Sequence, residues 1–287
     1  MTTYDNAKEL SKLTLGKTTE YCSKYNPNLL QGVPRSLNRD DLSLKDDSLP
    51  FIGEDVWYGY ELSWLNAKGK PVVMVAEFRF PCTSPNLVES KSFKLYLNSF
   101  NQSRFENINM VEELLTSDLS QTAGEKALVT LFPVDNCPPL QLKSPFEASI
   151  CIDDADITVE QYQYTPDVLV DLISPQKQET RVSQILVSHL LKSNCLITNQ
   201  PDWASIYIQY KGQQINQTVL LQYLISFRQH NEFHEQCVER IYCDLQKHGV
   251  FEELSVFARY TRRGGLDINP FRSSNTEKAP NGRTLRQ

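Results

Sequence analysis

Two runs of mostly apolar residues in the first third of the chain are rich in β-branched and aromatic side chains. One run covers residues 72–80, and the other covers residues 57–64. The turn-forming stretch Asn66-Ala67-Lys68-Gly69 separates them. Two such runs around a turn of this kind predict a β-hairpin.

Beyond the hairpin, the apolar residues change to a helical spacing. Apolar residues at positions 93, 95, 97 and 100 predict a helix within residues 87–105, and residues 108–119 predict another. Two strand-like runs follow, at residues 127–134 and 146–152. The first half of the chain therefore has the predicted order ββααββ.

The second half repeats this order after a segment with proline and aspartate at residues 153–180. The pattern predicts strands, then helices, then a strand, in the following runs: strands 182–191 and 203–210, helices 219–229 and 233–247, and strand 253–260. The polar residues 273–287, with proline and glycine, predict a disordered tail.

A short sequence match supports an internal duplication. The heptapeptide Tyr-Leu-Asn-Ser-Phe-Asn-Gln at 96–102 aligns with Tyr-Leu-Ile-Ser-Phe-Arg-Gln at 223–229, at an offset of 127 residues. Five of the seven positions are identical, and both runs fall at the same point in the order of elements. We interpret the two halves as copies of one module.

The two copies differ in their polar residues. The first copy has Glu89-Ser90-Lys91 at the predicted helix start, where the second has Asn216-Gln217-Thr218. The second copy contains a loop around Cys195 and the pair His234-Glu235. This division predicts a site that is composed of residues from both halves.

Composition restricts the class of partner. In 287 residues, a hydrophobic content of 40% is sufficient for a core, and a net charge of −6 argues against a broad phosphate-binding surface. A small-molecule partner is therefore expected, with no direct contact to nucleic acid. Because no run resembles a membrane span or a signal peptide, we expect a cytoplasmic protein.

The seven cysteines, at 22, 82, 137, 151, 195, 237 and 243, are an odd and scattered set without a CxxC pair. Such a set fits neither a disulfide framework nor a zinc cage. Free thiols in a reducing compartment are the expectation.

Cys195 has the most informative surroundings of the seven. It lies in a polar loop between two strand-like segments, and Asp202 follows seven residues later. A thiol near its ordinary pKa needs a proton acceptor or a positive environment to act as a nucleophile, and Asp202 is close enough in sequence to share the loop. The alternative is that Cys195 is one more small buried side chain. The local sequence leaves both interpretations open.

Three other polar clusters have a functional and an ordinary interpretation. Glu89-Ser90-Lys91 could hold an anion at a helix N-terminus, but its composition alone favours a capped, solvated helix start. His234-Glu235 could recognise a ligand or transfer a proton, or cap a helix. Arg262-Arg263-Gly264-Gly265 could contact phosphate or end a strand in solvent.

Together these motifs resemble the QueF nitrile reductases, the NADPH-dependent 7-cyano-7-deazaguanine reductases. The likeness spans nearly the whole chain and is closest to the long, two-module form. Its segments are 15–17, 33–39, 89–96, 195–202, 233–235 and 262–265. Leu196 stands where short members of the family tend to have proline, a departure that concerns the subfamily more than the activity.

The resemblance implies an α+β tunnelling fold. In this fold, ββααββ modules form antiparallel sheets with helices on the outer face, and purine- or pterin-like rings bind where modules meet. It implies an N-terminal module at 1–165 and a C-terminal module at 166–272, before the tail at 273–287. It also implies a homodimer.

The same resemblance implies the chemistry. Cys195 adds to the nitrile carbon of the deazapurine and forms a thioimide, Asp202 donates and accepts protons, and His234 assists protonation. Two NADPH molecules then deliver two hydrides without a metal, on the way to the modified tRNA base queuosine. The expected binding residues are, for the substrate, Val88, Glu89, Ser90, His234 and Glu235, and, for the cofactor NADPH, Ser90, Lys91, Arg263 and Gly264.

Two competing interpretations use the same fold. A zinc-dependent cyclohydrolase would need Cys and His ligands, and the chain has four histidines and no ligand pair of the required spacing. A purine-binding module without catalysis would keep Glu89 and Glu235 but would need neither Cys195 nor Asp202. The presence of both Cys195 and Asp202 favours the enzyme.

Overall fold

The computed structural model of the protein describes residues 21–173 and 180–287. These residues form two compact units. Unit 1 contains residues 21–49, Asp55–Leu140 and Arg262–Asp267, and unit 2 contains Pro50–Glu54, Gln141–Thr261 and Ile268–Gln287. The units are not identical to the predicted modules 1–165 and 166–272, and the modular division stays a prediction. The segment 15–17 lies outside the described residues.

Unit 1 is built around an antiparallel sheet with helices. Its strands are β1 (Gly32–Pro34), β2 (Ile52–Leu65, in this unit from Asp55), β3 (Pro71–Pro81), β4 (Asn86–Val88) and β5 (Leu128–Pro133). Its helices are α1 (Ser36–Arg39), α2 (Ser90–Ser99) and α3 (Ile108–Ala123). β3 lies between β2 and β5, and β1 pairs with β4.

The predicted hairpin and the two predicted helices of the first half are confirmed. The turn between β2 and β3 is closed by Asn66, whose side chain accepts hydrogen bonds from the backbone N–H groups of Lys68 and Lys70 at 3.0 Å. An aromatic cluster packs α2 onto the sheet, since the Phe93 ring lies 4.8 Å from Phe78 and 5.4 Å from Trp57 between centroids. This cluster is the core of unit 1.

Unit 2 contains a second, largely antiparallel sheet. Its strands are β6 (Ile150–Cys151), β7 (Arg181–Ser188), β8 (Lys192–Asn194), β9 (Pro201–Gln213), β10 (Phe251–Tyr260) and β11 (Leu266–Ser273, in this unit from Ile268). The order is β11-β10-β9-β7-β6, and β8 pairs with β9. Two helices, α4 (Gln217–Ser226) and α5 (His234–His248), complete the unit, and α5 packs against β10.

One predicted strand is shorter than expected, and one strand of the structure was not predicted. The strand predicted at 146–152 is reduced to β6, because the backbone at Ala148 has a φ of 56° and turns out of the extended conformation. This short strand pairs in parallel with β7 in unit 2, whereas the sequence pattern assigned it to the first half of the chain. Strand β11 was not predicted, because its mixture of polar residues with Pro270 lacks strand-like alternation.

The tail does not behave as its composition predicts. Residues 274–287 contact unit 2, where the backbone N–H of Ser274 donates to the carbonyl of Leu254 at 2.8 Å. The backbone N–H of Ala279 donates to Glu54 at 2.8 Å, and Gln287 is buried. Specific hydrogen bonds compensate for the low apolar content of this segment.

The equivalence of α2 and α4 agrees with the sequence match. Both helices have ten residues, and their bounds differ by the same offset of 127. Each begins after a side chain that accepts backbone N–H groups, Glu89 before α2 and Asn216 before α4. The repeated heptapeptide therefore marks repeated structure at the level of a capped helix.

The same tyrosine–aspartate arrangement occurs in each unit. In unit 1, Asp118 accepts hydrogen bonds from the hydroxyl of Tyr96 at 2.6 Å and from that of Tyr25 at 2.8 Å. The hydroxyl of Ser99 accepts a hydrogen bond from the backbone N–H of Asn26 at 3.1 Å. These bonds fix the segment before the sheet against α2 and α3.

Unit 2 has the matching contacts. Asp244 accepts hydrogen bonds from Tyr223 at 2.6 Å and from Tyr164 at 2.7 Å. The hydroxyl of Ser226 accepts a hydrogen bond from the backbone N–H of Thr165 at 3.3 Å. Tyr223 and Ser226 follow Tyr96 and Ser99 at the offset of 127, so the repeat extends to side-chain hydrogen bonds.

Candidate active site

The hairpin of β8 and β9 holds both Cys195 and Asp202. In its register, Ser193 faces Asp202. The hairpin continues one step beyond β8, because the backbone N–H of Cys195 donates to the carbonyl of Gln200 at 2.8 Å. The loop is closed by a 3.1 Å hydrogen bond from the N–H of Asn199, whose φ is 54°, to the carbonyl of Cys195. Asparagine tolerates this left-handed conformation better than most residues.

This register places the thiol and the carboxylate on one face of the hairpin. Residues that face each other across an antiparallel pair project to the same side, and so do residues two apart on one strand. Ser193 faces Asp202, and Cys195 is two residues after Ser193. Diagonal neighbours of this kind lie about 7–8 Å apart at Cα. The hairpin thus places a thiol and a carboxylate on the same face.

Both side chains are shielded from solvent. Cys195 is 6% exposed and Asp202 is 3% exposed. The polar sequence of the loop predicts a more accessible thiol than the structure shows. Burial alone is compatible with an ordinary core cysteine, so the chemistry depends on what the carboxylate contacts.

His234 is the partner of Asp202. It is the first residue of α5, and its Nε2 atom lies 3.2 Å from Oδ1 of Asp202. The imidazole stacks on the ring of Tyr260, with 3.9 Å between centroids and an interplanar angle of 17°. Within the described residues, its buried Nδ1 atom has no hydrogen-bond partner. The pair can hold a proton between two titratable groups, as general acid–base chemistry requires.

A segment that sequence reasoning missed holds the Cys195 loop from the other side. The carbonyl of His230 accepts the N–H of Asn194 at 2.8 Å, and the N–H of Glu232 donates to the carbonyl of Asn194 at 3.1 Å. The side chain of Asn231 accepts from Asn194 at 3.2 Å and donates to Asn199. No local pattern marks this segment as part of the site, because its role depends on long-range pairing.

A buried ion pair supports that segment. Glu232 is fully buried and contacts Arg240 at 2.7 Å and His230 at 3.0 Å. Burial opposes the ionised carboxylate, but the hydrogen bond from His230 and the charge of Arg240 outweigh it, and the pKa of Glu232 lies below its ordinary value. The charged pair therefore fixes the backbone that holds the loop. Glu235, the second residue of α5, is also buried, at 3% exposed.

Unit 1 contains the other group of predicted residues. Glu89 precedes α2, and its two carboxylate oxygens accept the N–H groups of Lys91 and Ser92, each at 2.7 Å. Burial raises the pKa of Glu89, although these two hydrogen bonds act in the opposite direction. Val88 ends β4 and is buried, and Ser90 is the first residue of α2. The motif is a helix cap and also a buried carboxylate.

Arg263 and Gly264 lie in a tight turn of the same unit. The N–H of Arg263 donates to the carbonyl of Leu266 at 2.9 Å, and the N–H of Leu266 donates to the carbonyl of Arg263 at 3.1 Å. The φ angles of Gly264 and Gly265 are 60° and 79°. Two consecutive positive φ angles define a type I′ turn, which favours glycine. The ammonium of Lys94 donates to the carbonyl of Gly264 at 2.6 Å. Lys94 thereby joins helix α2, with Ser90 and Lys91, to this turn.

Comparison with known proteins identifies the family. Residues 21–131 match the model described as nitrile reductase, 7-cyano-7-deazaguanine-reductase N-term, and residues 201–279 match the one described as QueF-like protein. The chain is 67% identical over 287 residues to the NADPH-dependent 7-cyano-7-deazaguanine reductase of Colwellia psychrerythraea strain 34H, and the match covers 100% of both chains. This chain belongs to the QueF family. The predicted resemblance is confirmed.

The two QueF matches contain different candidate residues, and Arg263 and Gly264, which belong to unit 1, fall in the second match. The first match includes Glu89, Ser90 and Lys91, and the second includes Asp202 and His234. Cys195 lies six residues before the second match, directly after β8, the strand that pairs with the start of β9. The hairpin register therefore connects the thiol to the part of the chain that the family model matches.

The described residues contain neither a group of metal ligands nor a membrane-spanning helix. Within residues 21–173 and 180–287, no three His, Cys, Asp or Glu side chains are grouped as ligands for a metal ion. Among the same residues, none of the helices has both the length and the apolar character needed to cross a bilayer.

Proposed function

We propose that the protein is an NADPH-dependent nitrile reductase that converts 7-cyano-7-deazaguanine to 7-aminomethyl-7-deazaguanine. The conversion adds four electrons, so each turnover uses two NADPH and two protons and releases two NADP⁺. The full-length match at 67% identity supports this assignment. The observation that carries it is the Asp202–His234 pair on the face of the hairpin from which Cys195 projects. The product is an intermediate of queuosine synthesis.

The thiol has a specific role in this proposal. A nitrile is a poor hydride acceptor, and addition of the Cys195 sulfur to its carbon, with a proton moving to its nitrogen, forms a thioimide. A protonated thioimide concentrates positive character on the carbon that accepts hydride. The first hydride gives a tetrahedral adduct, which releases the thiol and leaves an imine. The second hydride reduces this imine to the amine. NADPH supplies both hydrides.

Asp202 and His234 supply the proton transfers. Each reduction adds a hydride to carbon and consumes one proton, which must reach the nitrogen before or during hydride transfer. The 3.2 Å contact between Nε2 of His234 and Oδ1 of Asp202 allows the two groups to share and pass a proton. Their low exposure keeps bulk water from the reacting carbon.

We assign the binding roles from the chemistry of the residues present. Glu89 and Glu235 are buried carboxylates, which suit the N–H donors of a guanine-like ring, and Val88, Ser90 and His234 complete the substrate set. For NADPH, Ser90 and Lys91 at the start of α2 offer a hydroxyl and a cation to phosphate. The Arg263-Gly264 turn offers another cation and a backbone without a Cβ.

The fold proposal extends the α+β description to two tandem ββααββ modules of the tunnelling type. It is supported by the two capped helices at an offset of 127 residues and by the tyrosine–aspartate arrangement in each unit. The resemblance to QueF proteins also leads us to propose a cytoplasmic homodimer that does not bind nucleic acid directly.

A stoichiometric assay tests the activity. Purified protein is mixed with the nitrile and NADPH, the absorbance of the reduced nicotinamide is followed, and the amine is quantified by mass spectrometry. We expect two NADPH oxidised for each amine formed, no turnover by Cys195→Ala, and full turnover after treatment with a metal chelator. Absence of amine from folded wild-type protein would overturn the assignment. Loss of activity with chelator would instead support a zinc enzyme.

A further inference from the structure

The ladder between β10 and β11 is interrupted next to the proposed active site. The two strands pair at Ser255–Phe257 with Phe271–Ser273. In the same register Pro270 comes next, opposite Ala258, and proline has no N–H to donate. Tyr260, three residues after Phe257, is fully buried, and its carbonyl therefore requires a hydrogen-bond donor within the protein.

The side chain of Gln287 occupies this interruption. Its Nε2 atom donates to the carbonyl of Tyr260 at 3.2 Å and to Oδ1 of Asn269 on β11 at 2.7 Å. Its Oε1 atom accepts from Nε of Arg259 at 2.8 Å and from the N–H of Thr284 at 3.1 Å. One amide therefore joins Tyr260 of β10 to Asn269 of β11, beyond the last paired residues Phe257 and Phe271.

Tyr260 connects this amide to His234. The Tyr260 ring and the His234 imidazole stack with 3.9 Å between centroids, and the same imidazole contacts Asp202. Tyr260 is fully buried, so its ring direction follows from the position of its backbone. A displacement of the Tyr260 carbonyl would thus be transmitted to the stacked imidazole.

The neighbouring Arg286 holds the adjacent strand. Its guanidinium donates to the carbonyl of Ala204 at 2.9 Å and to the hydroxyl of Ser205 at 3.2 Å. Ala204 is the residue that pairs with Tyr260, and it is two residues from Asp202 on β9. Arg286 and Gln287 therefore hold the paired residues Ala204 of β9 and Tyr260 of β10.

We propose that Gln287 is a positioning residue for the Asp202–His234 pair, acting through the carbonyl of Tyr260, with Arg286 holding β9. Gln287 does not contact the reacting atoms in this assignment, which rests on the proposed function of His234. Its loss should change the orientation of the imidazole and slow proton transfer, while substrate binding changes little. A displacement of about 1 Å can lower turnover by about a hundredfold.

The test compares Gln287→Glu with wild-type protein. Glutamate has the same length and keeps the acceptor for Arg259, but it cannot donate to Tyr260 or Asn269. We expect kcat for nitrile reduction to fall at least tenfold, with KM for the nitrile within about twofold. The imidazole NMR signals of His234, assigned with His234→Gln among the four histidines, should shift because stacking on Tyr260 changes.

Two further variants make the result decisive. Gln287→Met keeps the volume without adding charge and replaces Gln287→Glu if that protein does not fold. Leu285→Ala alters an exposed side chain of the same segment, 85% exposed, and should leave kcat and the His234 signals unchanged. Unchanged His234 signals in the Gln287 variants would overturn the proposal, and so would the same shift in Leu285→Ala. If wild-type protein did not reduce the nitrile, the proposed function would fail, while the NMR result would still decide the positioning role.

Discussion

The Nε2 atom of His234 lies 3.2 Å from Oδ1 of Asp202, although the two residues are on different elements, a helix start and the beginning of a strand. The imidazole is held from its other side by the ring of Tyr260. We propose this carboxylate and imidazole as the acid–base pair that serves Cys195 on the same hairpin as Asp202.

Cys195 should form a covalent adduct with the nitrile when NADPH is absent, because addition of the thiol precedes hydride transfer. Intact-mass spectrometry under native conditions should show wild-type protein increased by the mass of the nitrile. Cys195→Ala should show no increase, while Cys151→Ser, which alters an exposed thiol, should behave as wild type. Turnover by a wild-type protein that never shows the adduct would exclude the thioimide route.

Asp202→Asn should lower kcat by about a hundredfold or more, the usual scale for a positioned acid or base, and retain most of the nitrile affinity. The amide can still contact His234 but cannot accept and release a proton. Steady-state kinetics and calorimetric titration separate these two effects. Combining the change with His234→Gln should add little, since residues that act as one unit are not additive. A near-normal kcat would remove Asp202 from the mechanism.

Glu89→Ala should weaken nitrile binding, because ring donors left unpaired in a buried site cost about 1–3 kcal/mol. The change also removes a helix cap, which costs about 0.5–2 kcal/mol of folding stability. Asn216→Ala is the matched control, since Asn216 caps the equivalent helix α4. Titration of both variants should show lower affinity in Glu89→Ala only, with lower thermal stability in both. Equal nitrile affinities in the two variants would assign Glu89 to capping alone.

The raised pKa of Glu89 also predicts a dependence of stability on pH. Burial favours the protonated carboxyl in the folded state, so its stabilising contribution is complete below the ordinary value of 4.5. That contribution decreases as the pH rises through the raised pKa. Relative to Glu89→Gln, the wild-type protein should therefore lose thermal stability as the pH is raised from about 4 to neutrality. A constant difference in Tm across this range would contradict the raised pKa.

Lys91→Ala should raise KM for NADPH by about tenfold, as expected for one charge-assisted hydrogen bond to phosphate. Because the lysine is assigned to cofactor binding, kcat at saturating NADPH should stay within about twofold. Lys211→Ala removes an exposed cation that pairs with Glu252 in unit 2 and should leave both parameters unchanged. Similar KM values for Lys91→Ala and wild type would show that another cation binds the cofactor.

Local sequence patterns determined the features that have local causes. The hairpin of β2 and β3 follows from two strand-like runs around Asn66, and the start of α2 follows from a residue, Glu89, that can accept the first free N–H groups. The sequence match at an offset of 127 residues is sufficient to predict that the second helix is equivalent to the first. The motifs at Cys195, Asp202 and His234-Glu235 were also visible in the sequence.

Only the tertiary structure decided which of these residues meet. The contact between Asp202 and His234 depends on packing α5 against β10, the neighbour of β9, and the proposed role of Gln287 depends on its hydrogen bond to Tyr260, twenty-seven residues earlier. The positive φ angle of Ala148 likewise ends the extended conformation that the neighbouring residues favour. In the polar segment after β11, Ala279 donates a hydrogen bond to the distant residue Glu54. A local pattern reports the conformation that a segment prefers. Long-range contacts depend on the packing of whole elements. A local pattern therefore cannot specify which distant residue a side chain contacts.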